Sequence, residues 1–194
     1  MKFFKSRKYS SLEELVKACQ RQDASAQTAF YELYKSKLLG VCARYAKTGA
    51  EAEDIFQEAL IKVFKNLNDL KDINMVGSWV KSIVIRTAIN YYHRTTKMEQ
   101  MHSAVDEMHH EIKSEDYTRI IQQLDMVVLL EVINSLPDGY RIVVNLFLID
   151  GFTHKEISEM LKITESTSRS QFFKGRNLLI KKLEKKGITH YEIS

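Results

Sequence analysis

Proline is almost absent from this sequence, with one in 194 residues, and there are only seven glycines. Strands are usually joined by turns rich in these two residues, so their scarcity argues against a β-rich fold. Lysine, glutamate, leucine, isoleucine and glutamine are frequent instead, and these residues favour helices. The composition therefore predicts an all-α protein.

Cysteine is scarce, and long apolar runs are missing. Cys19 and Cys42 both lie in helical apolar patterns, so neither a disulfide framework nor a Cys-x-x-Cys metal site is predicted, and a reducing compartment fits. The basic N-terminal residues are followed by no apolar stretch of signal-peptide or membrane-spanning length. We therefore expect a soluble, cytoplasmic protein without stable membrane insertion.

Motifs for catalysis are also lacking. The sequence contains no P-loop, no G-x-G-x-x-G, no H-E-x-x-H and no nucleophile elbow, so we expect no enzyme activity and no cofactor. His102, His109 and His110 lie near several acids and are a candidate metal cluster. Because the surrounding periodicity is weak, a solvated linker is the favoured interpretation, and no metal site is predicted.

The sequence does have an uneven charge distribution around its formal net charge of +4. Residues 1–10 and 81–97 carry four bases each and no acid, and residues 164–186 hold seven bases and two acids. Between them, residues 98–118 hold six acids and one base. Separate basic patches are typical of contact with a phosphate backbone. The pattern predicts two basic modules that flank an acidic spacer.

Helical periodicity follows the same division. Apolar residues recur with helical spacing over 11–97 and 122–186, and the pattern fades in between. In the first block, helices are predicted over about 24–45, 51–67 and 78–97. We therefore predict a first helical domain over 11–97, a flexible acidic linker over 98–121 and a second helical domain over 122–186.

The end of the second domain has the pattern of a helix-turn-helix motif. A short helix opens with a Thr153-x-x-Glu156 capping box and ends near Leu161, and Thr164 can cap a second helix. Hydroxyls and Arg169 near the start of that helix can reach base edges, while flanking bases hold phosphates. From the pattern alone, a solvated basic helix in an ordinary bundle is an equally good interpretation.

The second domain resembles the promoter-binding C-terminal domain of sigma factors at Leu136-Pro137, Arg141, Gly151-Phe152-Thr153, Glu156-Ile157, Leu161, Ile163 and Thr167-Ser168-Arg169-Ser170. The resemblance implies that the last helix docks in the major groove of the minus-thirty-five element. The candidate DNA-binding residues, from the outer face and the family's positions together, are Ser166, Thr167, Arg169, Ser170, Gln171, Phe173, Lys174 and Arg176.

Three positions depart from the family. Ser168 stands where valine is usual, Gln171 where arginine is usual and Gly175 where alanine is common. The interior glycine should cost the helix about 0.5–1 kcal/mol against alanine. Because Gln171 replaces the usual arginine, the promoter sequence of the family is not a safe guide to this one, and the preferred promoter must be measured.

The first domain resembles the same family over residues 52–64, which match the helix by which sigma factors bind the polymerase clamp. Its D-x-x-Q-E spacing places the polar side chains away from Phe56 and Leu60, where a partner can reach them. The alternative is a charged face that only meets solvent. The candidate polymerase-binding residues are Asp54, Gln57, Glu58, Ile61 and Lys62.

Downstream, residues 78–80 and 87–91 resemble the sigma helix that engages the minus-ten element. The preceding loop, residues 70–77, corresponds to the segment that captures a flipped base in this family, and Trp79 is predicted to belong to the core. The candidate minus-ten residues are Asn74, Met75, Val76, Arg86, Asn90, His93, Arg94 and Lys97.

These matches identify the chain as a member of the extracytoplasmic-function (ECF) type of the sigma-70 family, which has two domains. The resemblance implies three partners: core RNA polymerase, through the clamp of its beta-prime subunit and its beta flap; promoter DNA; and an anti-sigma factor. An acidic linker can mimic nucleic acid in a basic channel. The alternative is a response-regulator-type transcription factor with a similar helix-turn-helix, but its partner domain requires strands, whereas residues 1–97 predict helices.

Overall fold

The computed structural model of the chain describes residues 9–99 and 126–188, with side chains for 9–95 and 128–188. Regular structure in these ranges is helical, which confirms the predicted fold class. Contacts between Cα atoms divide the chain into two compact units, Met1–Arg94 and Thr95–Ser194. The basic arm, most of the predicted linker and the three linker histidines lie outside the described residues. Within the described ranges, no helix has both the length and the apolar character needed to cross a bilayer.

The described part of the first unit consists of α-helices joined by short turns. Its elements are α1 (Leu12–Gln20), α2 (Ala24–Tyr45), α3 (Gly49–Asn66), the 3-10 turns Leu67–Asp69 and Ile73–Met75, and α4 (Val76–Glu99). Side-chain oxygens of Ser11, Asp23 and Thr48 accept backbone N–H bonds at the starts of α1, α2 and α3. The predicted bounds of α2 are confirmed, whereas α3 begins two residues earlier than predicted because Thr48 is its cap.

The core of the first unit is centred on Phe30 of α2, which is fully buried. Its ring centroid lies 4.6 Å from that of Tyr34 and 5.7 Å from that of Phe64 on α3. Helix α1 packs against α2 and the first 3-10 turn, where Gln20 Nε2 donates to the Leu67 carbonyl at 3.1 Å. This packing leaves one face of α3 and one face of α4 at the surface.

The described part of the second unit is also helical. Its elements are α5 (Met126–Asn134), α6 (Asp138–Val144), a π-helical segment (Asn145–Ile149), α7 (His154–Leu161) and α8 (Glu165–Lys185). The π segment continues α6, and the Asp150 N–H donates to the Asn145 carbonyl at 3.0 Å. Leu129, Ile133, Leu179 and Leu183 belong to its core, so α5 packs against α8.

Helices α7 and α8 form the helix-turn-helix that the local sequence signals predicted. Thr153 and Glu156 make the predicted capping box, and Thr164 accepts the Thr167 N–H at the start of α8. Lys162 ends α7 in the left-handed conformation with φ of 57°. Helical spacing places Ser168, Phe172, Gly175, Leu179 and Leu183 on one face of α8; four of these residues are buried, and Phe172 is half-buried.

Candidate protein and nucleic-acid interfaces

The outer face of α3 carries the five residues predicted to bind polymerase. Asp54, Gln57 and Ile61 are exposed, while Glu58 and Lys62 are half-buried. Burying Phe56 and Leu60 in the core turns this polar side outward. Asp54 and Gln57 are therefore accessible to a partner.

Most of the large exposed apolar side chains lie on the predicted contact surfaces. Four large hydrophobic residues are exposed in the described ranges: Leu33, Ile61, Met75 and Phe173. A single exposed hydrophobic residue is ordinary in a soluble protein. Here, however, Ile61, Met75 and Phe173 each lie on a different surface that sequence analysis assigned to a partner, which favours those assignments over purely solvated faces.

Glu58 forms an ion-pair network that sequence analysis did not predict. Its Oε2 lies 2.6 Å from Arg94 Nη2, and its Oε1 lies 3.3 Å from Arg94 Nη1 and 2.8 Å from Lys62 Nζ. The hydrogen bonds from Arg94 are the main cause that lowers the pKa of Glu58 to about 2. Glu58, a candidate polymerase-binding residue, thus pairs with Arg94, a candidate minus-ten residue. The pair joins α3 to α4.

This network predicts a contribution of Glu58 to stability that depends on pH. Because the folded pKa, about 2, lies below the ordinary 4.5, the contribution is complete above about pH 4.5 and is lost as the pH falls towards 2. Glu58 is partly exposed, so we expect Glu58→Gln to cost less than ~1 kcal/mol at pH 7 and less at pH 3. Urea unfolding at both pH values checks this, with Glu53→Gln as the control; a cost that grows at low pH contradicts the assignment.

Arg94 of this network belongs to an exposed polar face of α4. Arg86, Asn90 and Arg94 are exposed at i, i+4, i+8 spacing on one face, and His93 is half-buried beside Tyr92, with 5.9 Å between the ring centroids. The side chain of Lys97 lies outside the described residues. Arg86 and Asn90 thus provide a cation and an amide on one accessible face, which suits a phosphate and a base edge.

The loop before α4 borders an open cavity. Asn74 and Met75 are exposed, and the Asp72 carboxylate accepts from both the backbone N–H and the side-chain amide of Asn74 at 2.9 and 3.0 Å. Val76 is 1% exposed and so supports the loop from inside, and Trp79 is half-buried. A cavity of about 480 Å³ adjoins the loop and is lined by Ser11, Leu12, Glu13, Lys71, Asp72, Ile73 and Asn74. The contribution of α1 to this cavity is not predicted by the sequence, in which Ser11 and the acids after it have only the pattern of an ordinary helix cap.

The exposed side of α8 carries the candidate residues of the second unit. Ser166, Arg169, Ser170 and Phe173 are exposed at i, i+3, i+4, i+7 spacing and therefore form one stripe. The remaining candidates are half-buried along its flanks: Thr167, Gln171, Lys174 and Arg176. Arg169 forms an ion pair with Glu165, yet its side chain remains 64% exposed. A narrow polar stripe with a cation near the helix start suits the major groove.

Comparison with known protein families finds one matching family model in each of the two units. The family model described as Sigma-70 region 2 matches residues 30–98, and that described as Sigma-70, region 4 matches residues 126–179. Together they cover well over half of the chain. The chain belongs to the sigma-70 family. Region 2 contains the α3 and α4 surfaces, and region 4 contains α7 with most of α8.

Curated relatives are sigma factors of similar length. The RNA polymerase sigma-H factor of Pseudomonas aeruginosa is 25% identical over 181 residues, which cover 89% of this chain and 93% of the relative. The ECF RNA polymerase sigma-E factor of Escherichia coli K12 is 26% identical over 180 residues, which cover 88% and 93%. The solved structure of the sigma factor RpoE with the anti-sigma factor NepR from Bartonella quintana aligns over 81% of this chain and 96% of its own, at 18% identity and a TM-score of 0.49.

The sigma factor is thus of the ECF type, and the predicted family is confirmed. The response-regulator alternative is not favoured, because the partner domain of the helix-turn-helix is sigma region 2. Sigma factors initiate transcription and are not enzymes. Helix α1 precedes the region 2 match, although it lines the cavity beside the loop that precedes α4.

Proposed function

We propose that this sigma factor docks on the clamp of core RNA polymerase through the outer face of α3. The observation that carries this assignment is the exposure of Asp54, Gln57 and Ile61 on one face of the region 2 helix that follows α2. A small apolar contact surrounded by polar groups is the usual composition of a protein interface. Glu58 and Lys62 contribute at its edge, where Glu58 also holds Arg94.

We further propose that α4 and the loop before it engage the minus-ten element. Arg86 and Arg94 anchor phosphates, and Asn90 offers an amide to a base edge. Met75 and Asn74 then stabilise a base that leaves the stack, since an unstacked base needs an apolar wall and a hydrogen-bonding group. Holding such a base favours strand opening.

In the second unit, we propose that α8 enters the major groove of the minus-thirty-five element. Arg169 approaches a base edge, Ser166 and Ser170 contact neighbouring groups, and Phe173 provides an apolar contact of the kind that suits a thymine methyl group. Lys174 and Arg176 on the flanks hold phosphates. The Glu165 carboxylate orients Arg169 before DNA arrives.

We assign residues 11–97 to polymerase and minus-ten binding, 98–121 to a linker that crosses the polymerase, and 122–186 to minus-thirty-five binding. The beta flap of polymerase is assigned to the second domain as its protein partner. We propose that the protein acts in the cytoplasm without catalysis of its own, and that an anti-sigma factor covers the α3 face when the protein is inactive.

In vitro transcription tests the proposed function. Core RNA polymerase and the purified protein are incubated with fragmented genomic DNA from the same organism, and the RNA 5′ ends are mapped. Initiation at a small set of sites that needs both proteins is the expected result. Initiation that does not depend on the protein, or binding of the protein to promoter DNA without core polymerase, refutes the proposal.

Replacing Arg169 with alanine tests the groove contact. We expect promoter affinity to fall by about 1–3 kcal/mol and discrimination at one base pair to disappear, because a bidentate contact reads a single base. Lys185→Ala removes the same charge from the far end of α8 and should leave base discrimination unchanged. Competition binding of holoenzyme to single-base variants of a mapped promoter measures both effects; equal loss of discrimination in the two variants argues against base readout by Arg169.

A further inference from the structure

His154, the first residue of α7, contacts two other elements of the second unit, the π segment and α8. Its ring stacks on Phe147 of the π segment, with centroids 4.5 Å apart and planes at 16°. Phe172 of α8 meets the same ring edge-on at 5.6 Å and lies 4.5 Å from Phe147. The His154 Nδ1 is 3.0 Å from the Ser168 Oγ of α8. The imidazole therefore contacts α8 by both an aromatic and a polar interaction.

Ser168 is the polar member of this cluster on α8. Its exposure is 0%, so its hydroxyl exchanges no hydrogen bond with water. A buried hydroxyl without a partner is costly, and His154 provides that partner. An apolar side chain at this position would pack between the helices without any directional bond. Serine therefore adds an orientation requirement that packing alone does not impose.

We propose that His154 and Ser168 form a positioning pair that sets the rotation of α8 against α7 and thereby directs Arg169 and Ser170 at the promoter. The inference rests on the proposed groove contact of α8. The next residue after Ser168 is Arg169, so both side chains turn together with the helix. A rotation of about 10° moves groups at the helix surface, about 5–6 Å from its axis, by about 1 Å. A bidentate contact to a base tolerates little more than that.

The charges around His154 agree with a neutral imidazole in this role. Burial lowers the pKa of the ring, the guanidinium of Arg169 lowers it further, and the carboxylate of Glu165 opposes both effects. A neutral imidazole carries one donor and one acceptor nitrogen, so Nδ1 can pair with the hydroxyl in either tautomer. The ring thus pairs with Ser168 without placing a second cation beside Arg169.

Two nearly isosteric substitutions isolate the hydrogen bond. Ser168→Thr and Ser168→Val add similar volume, but only threonine keeps the hydroxyl. We expect holoenzyme with Ser168→Thr to bind a promoter fragment mapped by transcription within about twofold of wild type. Ser168→Val should bind it about three- to tenfold more weakly, the range of one hydrogen bond. Affinities are measured at a temperature at which every variant is folded, as checked by circular dichroism.

A double-mutant cycle and a control separate positioning from stability. In the His154→Phe background, which lacks Nδ1, the difference between the threonine and valine variants should vanish. Ile157→Val removes a methyl group from the buried side of α7 and should lower stability without changing promoter affinity. Equal affinities of Ser168→Thr and Ser168→Val, or a difference that persists with His154→Phe, overturn the inference. A wild-type holoenzyme that retains no promoter fragment refutes the proposed function itself, and the inference with it.

Discussion

Gly175→Ala should lower the free energy of unfolding of the second unit by about 1–3 kcal/mol, the range for overpacking a close contact. A Cβ at Gly175 would lie 2.8 Å from Val144 Cγ2 and 3.0 Å from Tyr140 Cβ, both on α6. Val144 is fully buried, and the Tyr140 Cβ is held by its own backbone, so neither atom can withdraw cheaply. The glycine therefore permits α6 and α8 to approach closely, and the packing cost outweighs the gain in helix propensity that alanine brings.

Gly40→Ala is the matched control for this exchange. Gly40 lies in the interior of α2, where a Cβ would meet nothing within 4 Å, so alanine should stabilise the first unit by about 0.5–1 kcal/mol. Urea unfolding is followed by the fluorescence of Trp79, the only tryptophan, for the first unit and by hydrogen exchange of α8 for the second. If Gly175→Ala and Gly40→Ala both stabilise the protein, the contact with α6 does not exclude a side chain at Gly175.

The double exchange Asp54→Ala with Gln57→Ala should weaken binding to core RNA polymerase by at least about tenfold while leaving the unfolding free energy unchanged. Both side chains are exposed on the outer face of α3, so their removal opens no cavity in the core. A few side chains near the centre of an interface usually carry most of its binding energy. Glu58 is a poorer choice, because its loss also breaks the bonds to Arg94 and Lys62.

Asn68→Ala with Asp69→Ala supplies the control for this pair. It removes the same two functional groups, an amide and a carboxylate, from an exposed turn of the same unit. Competition between each variant and labelled wild-type protein for core polymerase measures the affinities. Equal weakening by both pairs would indicate a general charge effect, and no weakening by the α3 pair would move the polymerase contact away from this face.

Local signals in the sequence were sufficient to predict the helices and their exposed faces. The bounds of α2, the capping box at Thr153 and the inward face of α8 follow from short-range hydrogen bonds and helical periodicity, which the order of residues contains directly. The first two residues of α3 were not predicted as helical, because Thr48-Gly49 has the form of a helix end as well as a start. The π segment after α6 was missed because no local pattern distinguishes it from α-helix.

By itself, then, the sequence determined an all-α protein of the sigma-70 family and the sides of α3, α4 and α8 that face outward. Only the tertiary structure decided which of those side chains meet. Glu58 and Arg94 are 36 residues apart, the cavity beside the loop before α4 is lined in part by α1, and Ser168 pairs with His154 across the turn. These contacts depend on the crossing angles and distances of packed helices, which periodicity does not specify. From the sequence alone, Gly175 only lowers the helix propensity of α8. In the packed structure it is required, because a larger residue would collide with α6.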